Sequence, residues 1–169
     1  MTTAPSSRRH YFSTTLITAT IAATAAAATL MISLPVWAMF IGWIAFFTRG
    51  LSGRSAVENL GCVGIGMCIG VVASLVIQQL GTLVGQSVAL PIVVFLVALL
   101  VVALRGLPMM NNLLGYFLGL VAWFAAHLAP SAENLLQLFS ASTIGSIAGW
   151  IAYQLSGRIA NSAQPRTGE

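Results

Sequence analysis

The sequence contains no lysine and no aspartate, and its only acids are Glu58, Glu133 and Glu169. Charged residues make up 6% of 169, against about a quarter in a typical soluble domain. Such a chain cannot cover itself with water-facing side chains. The seven basic residues are all arginine and lie between apolar runs rather than in a patch, which excludes a nucleic-acid surface despite a pI near 9.8. The two cysteines, Cys62 and Cys68, share one apolar run at a spacing that suits small packing residues better than a disulfide. Phosphate loops, His/Cys clusters with metal-ligand spacing, and a nucleophile with an evident base are all missing. The expectation is a non-enzyme without metal or cofactor.

What the chain does contain is apolar sequence, 58% of it. A bilayer core about 30 Å thick takes about 20 such residues per helix. Six candidate spans cover residues 11–33, 35–48, 58–79, 87–104, 110–128 and 134–155. The second is short and begins at Pro35, which suits a first helical turn because its absent N–H would be unpaired there. The Arg8-Arg9 pair before the first run resembles the start of a secretory signal, but the repeat described next needs this run as a helix. Arg8 and Arg9 precede the first run, Arg49 and Arg54 follow the second, Arg105 the fourth, and Arg158 and Arg166 the sixth. Arginine favours cytoplasmic loops. This alternation expects both termini in the cytoplasm, with tails at residues 1–10 and 158–169.

The chain also repeats itself. Phe40-Ile-Gly42-Trp-Ile-Ala-Phe46-Phe47 matches Phe117-Leu-Gly119-Leu-Val-Ala-Trp123-Phe124, and Ser55-Ala-Val-Glu58-Asn59-Leu60 answers Ser131-Ala-Glu133-Asn134-Leu135. Further on, Ile69-Gly70 answers Ile144-Gly145. A unit with an odd number of spans enters the membrane inverted when repeated. The expected fold is therefore an all-α integral membrane protein of six transmembrane helices, a 3+3 inverted-topology repeat with halves at 11–80 and 81–157.

Helices in lipid associate by close packing, and small residues four apart let their backbones meet. Gly66 and Gly70 in the third span, and Gly145 and Gly149 in the sixth, are the expected packing stripes, with Gly66 matched to Ala141 and Gly70 to Gly145. Phe40, Gly42, Phe46, Phe47, Phe117, Gly119, Trp123 and Phe124, with Asn111 and Asn112 at the turn before the fifth span, are candidates for a pore or central packing. Glu58 and Glu133 open the third and sixth spans, where a carboxylate caps the helix dipole or gates a path. His127 closes the fifth span, at a position equivalent to Gly50, as an interfacial or gating residue.

The segment Leu34-Pro-Val-Trp37-Ala-Met-Phe40-Ile-Gly42-Trp-Ile-Ala-Phe46-Phe47, the Gly/Ala-rich third span and the Phe117-Leu-Gly119 block resemble the YcdZ-like family of bacterial inner-membrane proteins, a domain of unknown function. The resemblance implies a multi-pass bacterial inner-membrane protein and is silent on substrate. The absence of any charge at the centre of a span points to a channel or facilitator for a small neutral solute, since ion-coupled carriers keep an ionisable group there. The alternatives are a membrane accessory or structural subunit and a small ion-driven exporter. The expected partners are the lipid bilayer, further copies in a homo-oligomer and an unidentified solute, with no nucleic acid.

Overall fold

The computed structural model describes residues 5–162, with side chains over residues 11–159. The chain is all-helical: α1 Pro5–Met31, α2 Val36–Phe47, α3 Gly53–Val84, α4 Gln86–Leu104, α5 Leu113–Ala126 and α6 Ala132–Ser162. Four of them, α1, α3, α4 and α6, are long and apolar enough to cross a membrane. The chain is by this measure a membrane protein. Helices α2 and α5 have 12 and 14 residues, or about 18–21 Å at 1.5 Å per residue, short of the hydrocarbon thickness.

The helix limits have local causes. Ser52 caps α3 by accepting from the Ser55 N–H, so α3 begins one turn before the apolar run at residue 58. It also runs through Val84, past the expected division at residues 80 and 81, and stops at Gly85, whose φ of +83° is left-handed. Asn112 caps α5 by accepting from the Gly115 N–H, which delays that helix from the expected residue 110. Helix α1 begins inside the expected N-terminal tail and α6 continues into the expected C-terminal one. The remainder of those tails, and the side chains of Arg8, Arg9 and Arg166, lie outside the described residues.

The helices form two interlocked groups. Helices α1 and α2 pack on α6, while α4 and α5 pack on α3. Each group thus takes its third helix from the opposite half of the sequence. Along the α2–α6 seam the contacts advance together, from Ala38 with Ser142 to Phe46 with Gly149 and Tyr153, so the two run parallel. Along the α3–α5 seam they also advance together, from Cys62 with Gly115 to Gly70 with Trp123. Helices α3 and α6 run antiparallel, with Gly53 beside Trp150 and Gly64 beside Phe139. Between the groups lies a core of Ala38, Ala45, Val63, Met67, Trp123 and Leu138.

A polar junction at the arginine end

The two seams use the same contacts. A side chain on Gly42 would collide with the Ser142 carbonyl, and one on Gly119 with the Val63 carbonyl. Likewise Gly145 lies on the Met39 carbonyl and Gly66 on the Tyr116 carbonyl. One turn further, Gly149 faces Phe46 and Gly70 faces Trp123. Only glycine admits such approaches, which add many dispersion contacts and weak Cα–H···O bonds where no hydrophobic force separates helix from lipid.

The contact at Gly42 is of the same kind as that at Gly119, that at Gly66 as that at Gly145, and that at Gly70 as that at Gly149, whereas the sequence match sets Gly70 against Gly145, one helical turn away. The caps agree: Ser131 accepts from the Asn134 N–H as Ser52 accepts from that of Ser55. The Glu58-Asn59 and Glu133-Asn134 likeness is therefore one turn out of step with the packing.

The described arginines gather at one end. Arg49 follows α2, Arg54 opens α3, Arg105 follows α4 and Arg158 sits near the end of α6. There Asn112 donates to Thr48 Oγ1 at 2.6 Å and to Asn59 Oδ1 at 2.8 Å. Asn59 in turn donates to the Arg49 carbonyl at 2.9 Å. Asn59 and Asn112 are both buried, at 0% and 7% exposure, so these bonds offset a desolvation cost of about 1–3 kcal/mol per group. Around them Glu58 accepts from Arg49 and Arg54 at 2.9 Å each, and Arg49 also donates to the Met109 carbonyl at 3.1 Å. The Tyr116 hydroxyl donates to the Met110 carbonyl at 2.7 Å. This junction ties the α2–α3 and α4–α5 links together.

The corresponding place at the opposite end is apolar. The positions that match Asn59 and Asn112 in the packing hold Leu138 and Pro35, and Leu34, Ala126 and Leu135 pack against the core cluster that contains Leu138. The buried amide pair thus belongs to one end of the bundle, and hydrocarbon takes its place at the other, where the hydrogen bonds of Asn134 to Ser131 and to the Ala129 carbonyl are exposed.

Of the sequence candidates, Asn112 and Glu58 meet in the junction, while Asn111 is exposed beside it. Gly42, Phe46, Gly119 and Trp123 lie in the two seams, and Trp123 Nε1 donates to Ser74 Oγ at 2.8 Å. Phe40, Phe47, Phe117 and Phe124 do not face a central path: each is 38–43% exposed on the outside of the bundle. Glu133 is exposed in the first turn of α6. His127 is exposed with φ +51°, and Gly50 has φ +82°, so the two matched positions share a left-handed conformation after their helices. The sequence reading missed Thr48 and the inward role of Asn59. A polar amide in the second turn of an apolar helix was the available signal. Among the described residues no three of His, Cys, Asp and Glu gather into a metal-binding group.

No curated protein and no solved structure matches the chain. A family model does match, over residues 15–157. This chain therefore belongs to the protein family of unknown function DUF1097.

Proposed function

We propose that the chain crosses a bacterial inner membrane six times as two three-helix halves of opposite orientation, both termini cytoplasmic, and that it facilitates passage of a small neutral solute between its two interlocked groups. The observation that carries this reading is the reciprocity of the seams: Gly42 on Ser142 with Gly145 on Met39, and Gly119 on Val63 with Gly66 on Tyr116. Such equivalence about antiparallel α3 and α6 is what inverted halves produce. The arginines at one end support a cytoplasmic face there, and the YcdZ-like resemblance supports the bacterial inner membrane. Flanking residues lengthen α2 and α5 enough to complete their crossings inside the bundle, where backbone short of a full span is shielded from lipid.

The core between the groups is closed by Met67, Trp123 and Leu138, so passage requires the groups to part. Their two ends resist parting differently. Water competes for the hydrogen bonds of the Asn59-Asn112 junction, whereas the Leu138 end opens only by exposing hydrocarbon. A central region without charge suits an uncharged solute. The closed core also favours a second reading, an accessory subunit that moves nothing.

Stopped-flow light scattering of proteoliposomes challenged with water, glycerol, urea and small amides separates the two. Protein-dependent flux of one solute class, lost in Met67→Trp, is the expected result. Flux equal to that of empty liposomes for every solute sinks the facilitator and leaves the accessory subunit.

A further inference from the structure

Helices α1, α2 and α6 enclose a cleft of about 610 Å³ at the arginine end of their group. One wall is aromatic, with Phe40, Trp43 and Phe47 of α2, and the other carries the hydroxyls of Thr14, Thr15 and Thr18 of α1. Tyr153 and Ser156 come from α6, which packs on both. The cleft among α3, α4 and α5 offers a comparison within the same chain. There Val93, Val94 and Val97 stand at the spacing of the threonines, Phe117, Leu120 and Phe124 stand at that of the rings, and Ile77 follows Ala73 as Ser156 follows Ala152. That second cleft is about 210 Å³ and is lined by hydrocarbon side chains. A lipid tail needs no more than that, so the hydroxyls and the indole of the first suit something else.

The polar groups of the first cleft have unmet capacity. Among the described residues Trp43 Nε1–H and the Tyr153 O–H have no hydrogen-bond partner, whereas the polar rings of α5, Tyr116 and Trp123, donate to the Met110 carbonyl and to Ser74. Thr14 and Thr15 give their protons to the Tyr11 carbonyl. Thr18 and Ser156 face each other at 3.3 Å, beyond the about 2.5–3.0 Å of a close O–H···O bond, and one proton serves both oxygens. An indole N–H, a phenol O–H and a hydroxyl thus border the cleft without acceptors. They select a ligand that carries acceptor oxygens.

Ring faces also suit a cation, but no carboxylate lines the cleft and every described arginine stands at this end of the bundle. No arginine lines it either, so an anion would enter without a counter-charge. The polar part of the ligand is therefore neutral. Its shape follows from the α2 wall, where the Trp43 and Phe47 rings lie 6.0 Å apart and stack best on a flat π-system. Phe40, Phe47 and Tyr153 are 41–43% exposed on the outside of the bundle, so the way in is from the bilayer.

We infer that the α1–α2–α6 cleft binds a membrane quinone, its ring against Phe40, Trp43 and Phe47, its carbonyl oxygens accepting from Trp43, Tyr153 and the Thr18–Ser156 pair, and its tail leaving sideways into lipid. A quinone joins a flat neutral ring, acceptor oxygens and an apolar tail in one molecule. A phospholipid has ester acceptors but no ring, and it brings a phosphate anion. A second copy brings rings, but its backbone carbonyls are already bonded within its own helices. The cleft lies inside one group, so its occupation is independent of whether any solute passes between the two.

The test is native mass spectrometry of the full chain in detergent micelles titrated with decylubiquinone. One saturable adduct per chain is expected, and none with dodecylbenzene, which has a ring and a tail but no carbonyls. Trp43→Phe and Tyr153→Phe keep a ring and break no hydrogen bond among the described residues. Each is expected to weaken binding roughly fivefold, the worth of one net hydrogen bond. Trp43→Leu combined with Ser156→Ile copies the lining of the apolar cleft and is expected to abolish the adduct, with melting temperature reporting whether the variant folds. Unchanged affinity in both conservative variants overturns the assignment, as does equal uptake of dodecylbenzene. A phospholipid adduct that the quinone does not displace, or a dimer that takes up no quinone, overturns it too, by giving the cleft to bulk lipid or to a second copy.

Discussion

Asn112 donates its side-chain amide to Oδ1 of Asn59 at 2.8 Å, joining the cap of α5 to the second turn of α3 across 53 residues of sequence. Both side chains are buried, and the bond is one of three that the two amides make to Thr48, Arg49 and each other. Removing either partner leaves the other's atom in that bond unpaired, while Asn59 keeps the Arg49 carbonyl and Asn112 keeps Thr48 and the Gly115 N–H.

Asn59→Leu and Asn112→Ala are each expected to cost about 1–3 kcal/mol. The double variant should cost less than the two added together, by about 0.5–3 kcal/mol, because the opposite end of the bundle works with Leu138 and Pro35 in these places. Reversible unfolding in mixed micelles gives the cycle, and strict additivity would mean that the amides act separately.

Gly42→Ala and Gly119→Ala should each destabilise by at least about 3 kcal/mol. The added methyl meets backbone carbonyls, of Ser142 and of Val63, which cannot rotate away as a side chain does. Gly157→Ala is the control: nothing lies within 4 Å of its Cβ position, and alanine in a helix gains about 0.5–1 kcal/mol over glycine. Comparable melting temperatures for all three variants would refute the close-contact account.

Glu58→Gln should cost more than Glu133→Gln. Glu58 is 16% exposed and accepts from two guanidinium groups, bonds worth about 1.5–3 kcal/mol to a charged group. Exposed Glu133 has only the dipole of α6 to complement, worth about 0.3–1 kcal/mol. The difference should shrink at high salt, and thermal melts at two ionic strengths read it.

Cutting the chain at Gly85, where no atom lies within 4 Å of the Cβ position, should yield fragments that fold only together. Helices α1 and α2 have their packing partner in α6, and α4 and α5 have theirs in α3. Co-expressed fragments should co-purify, and each expressed alone should aggregate or be degraded. A monodisperse, helical first fragment by itself would contradict the interlocked arrangement.

Much of this was legible in the residues. Apolar runs without lysine or aspartate required lipid as the solvent, the arginines marked one end, and the Phe-x-Gly match drew attention to Gly42 and Gly119, each of which lies on a carbonyl of a partner helix. Those properties are local: they depend on which residues the chain has and in what order. The matching of α3 with α6 was not local, and the sequence likeness put it one turn out, because Gly66 and Gly70 are both small and only a partner's carbonyl distinguishes them.

The inward and outward aromatics show the same division. Phe46 and Phe47 are neighbours, yet Phe46 is wholly buried and Phe47 is 43% exposed. In a soluble helix the polar face reveals which side turns outward, but in a bilayer both the lipid and the protein interior are apolar, so hydropathy carries no such sign. Composition alone determined that this chain belongs in a membrane as helices. Which face of each helix meets protein, which half lends its third helix to the other, and that Asn59 and Asn112 meet at all were decided only by the tertiary packing, where backbone contact between glycine and carbonyl sets the register.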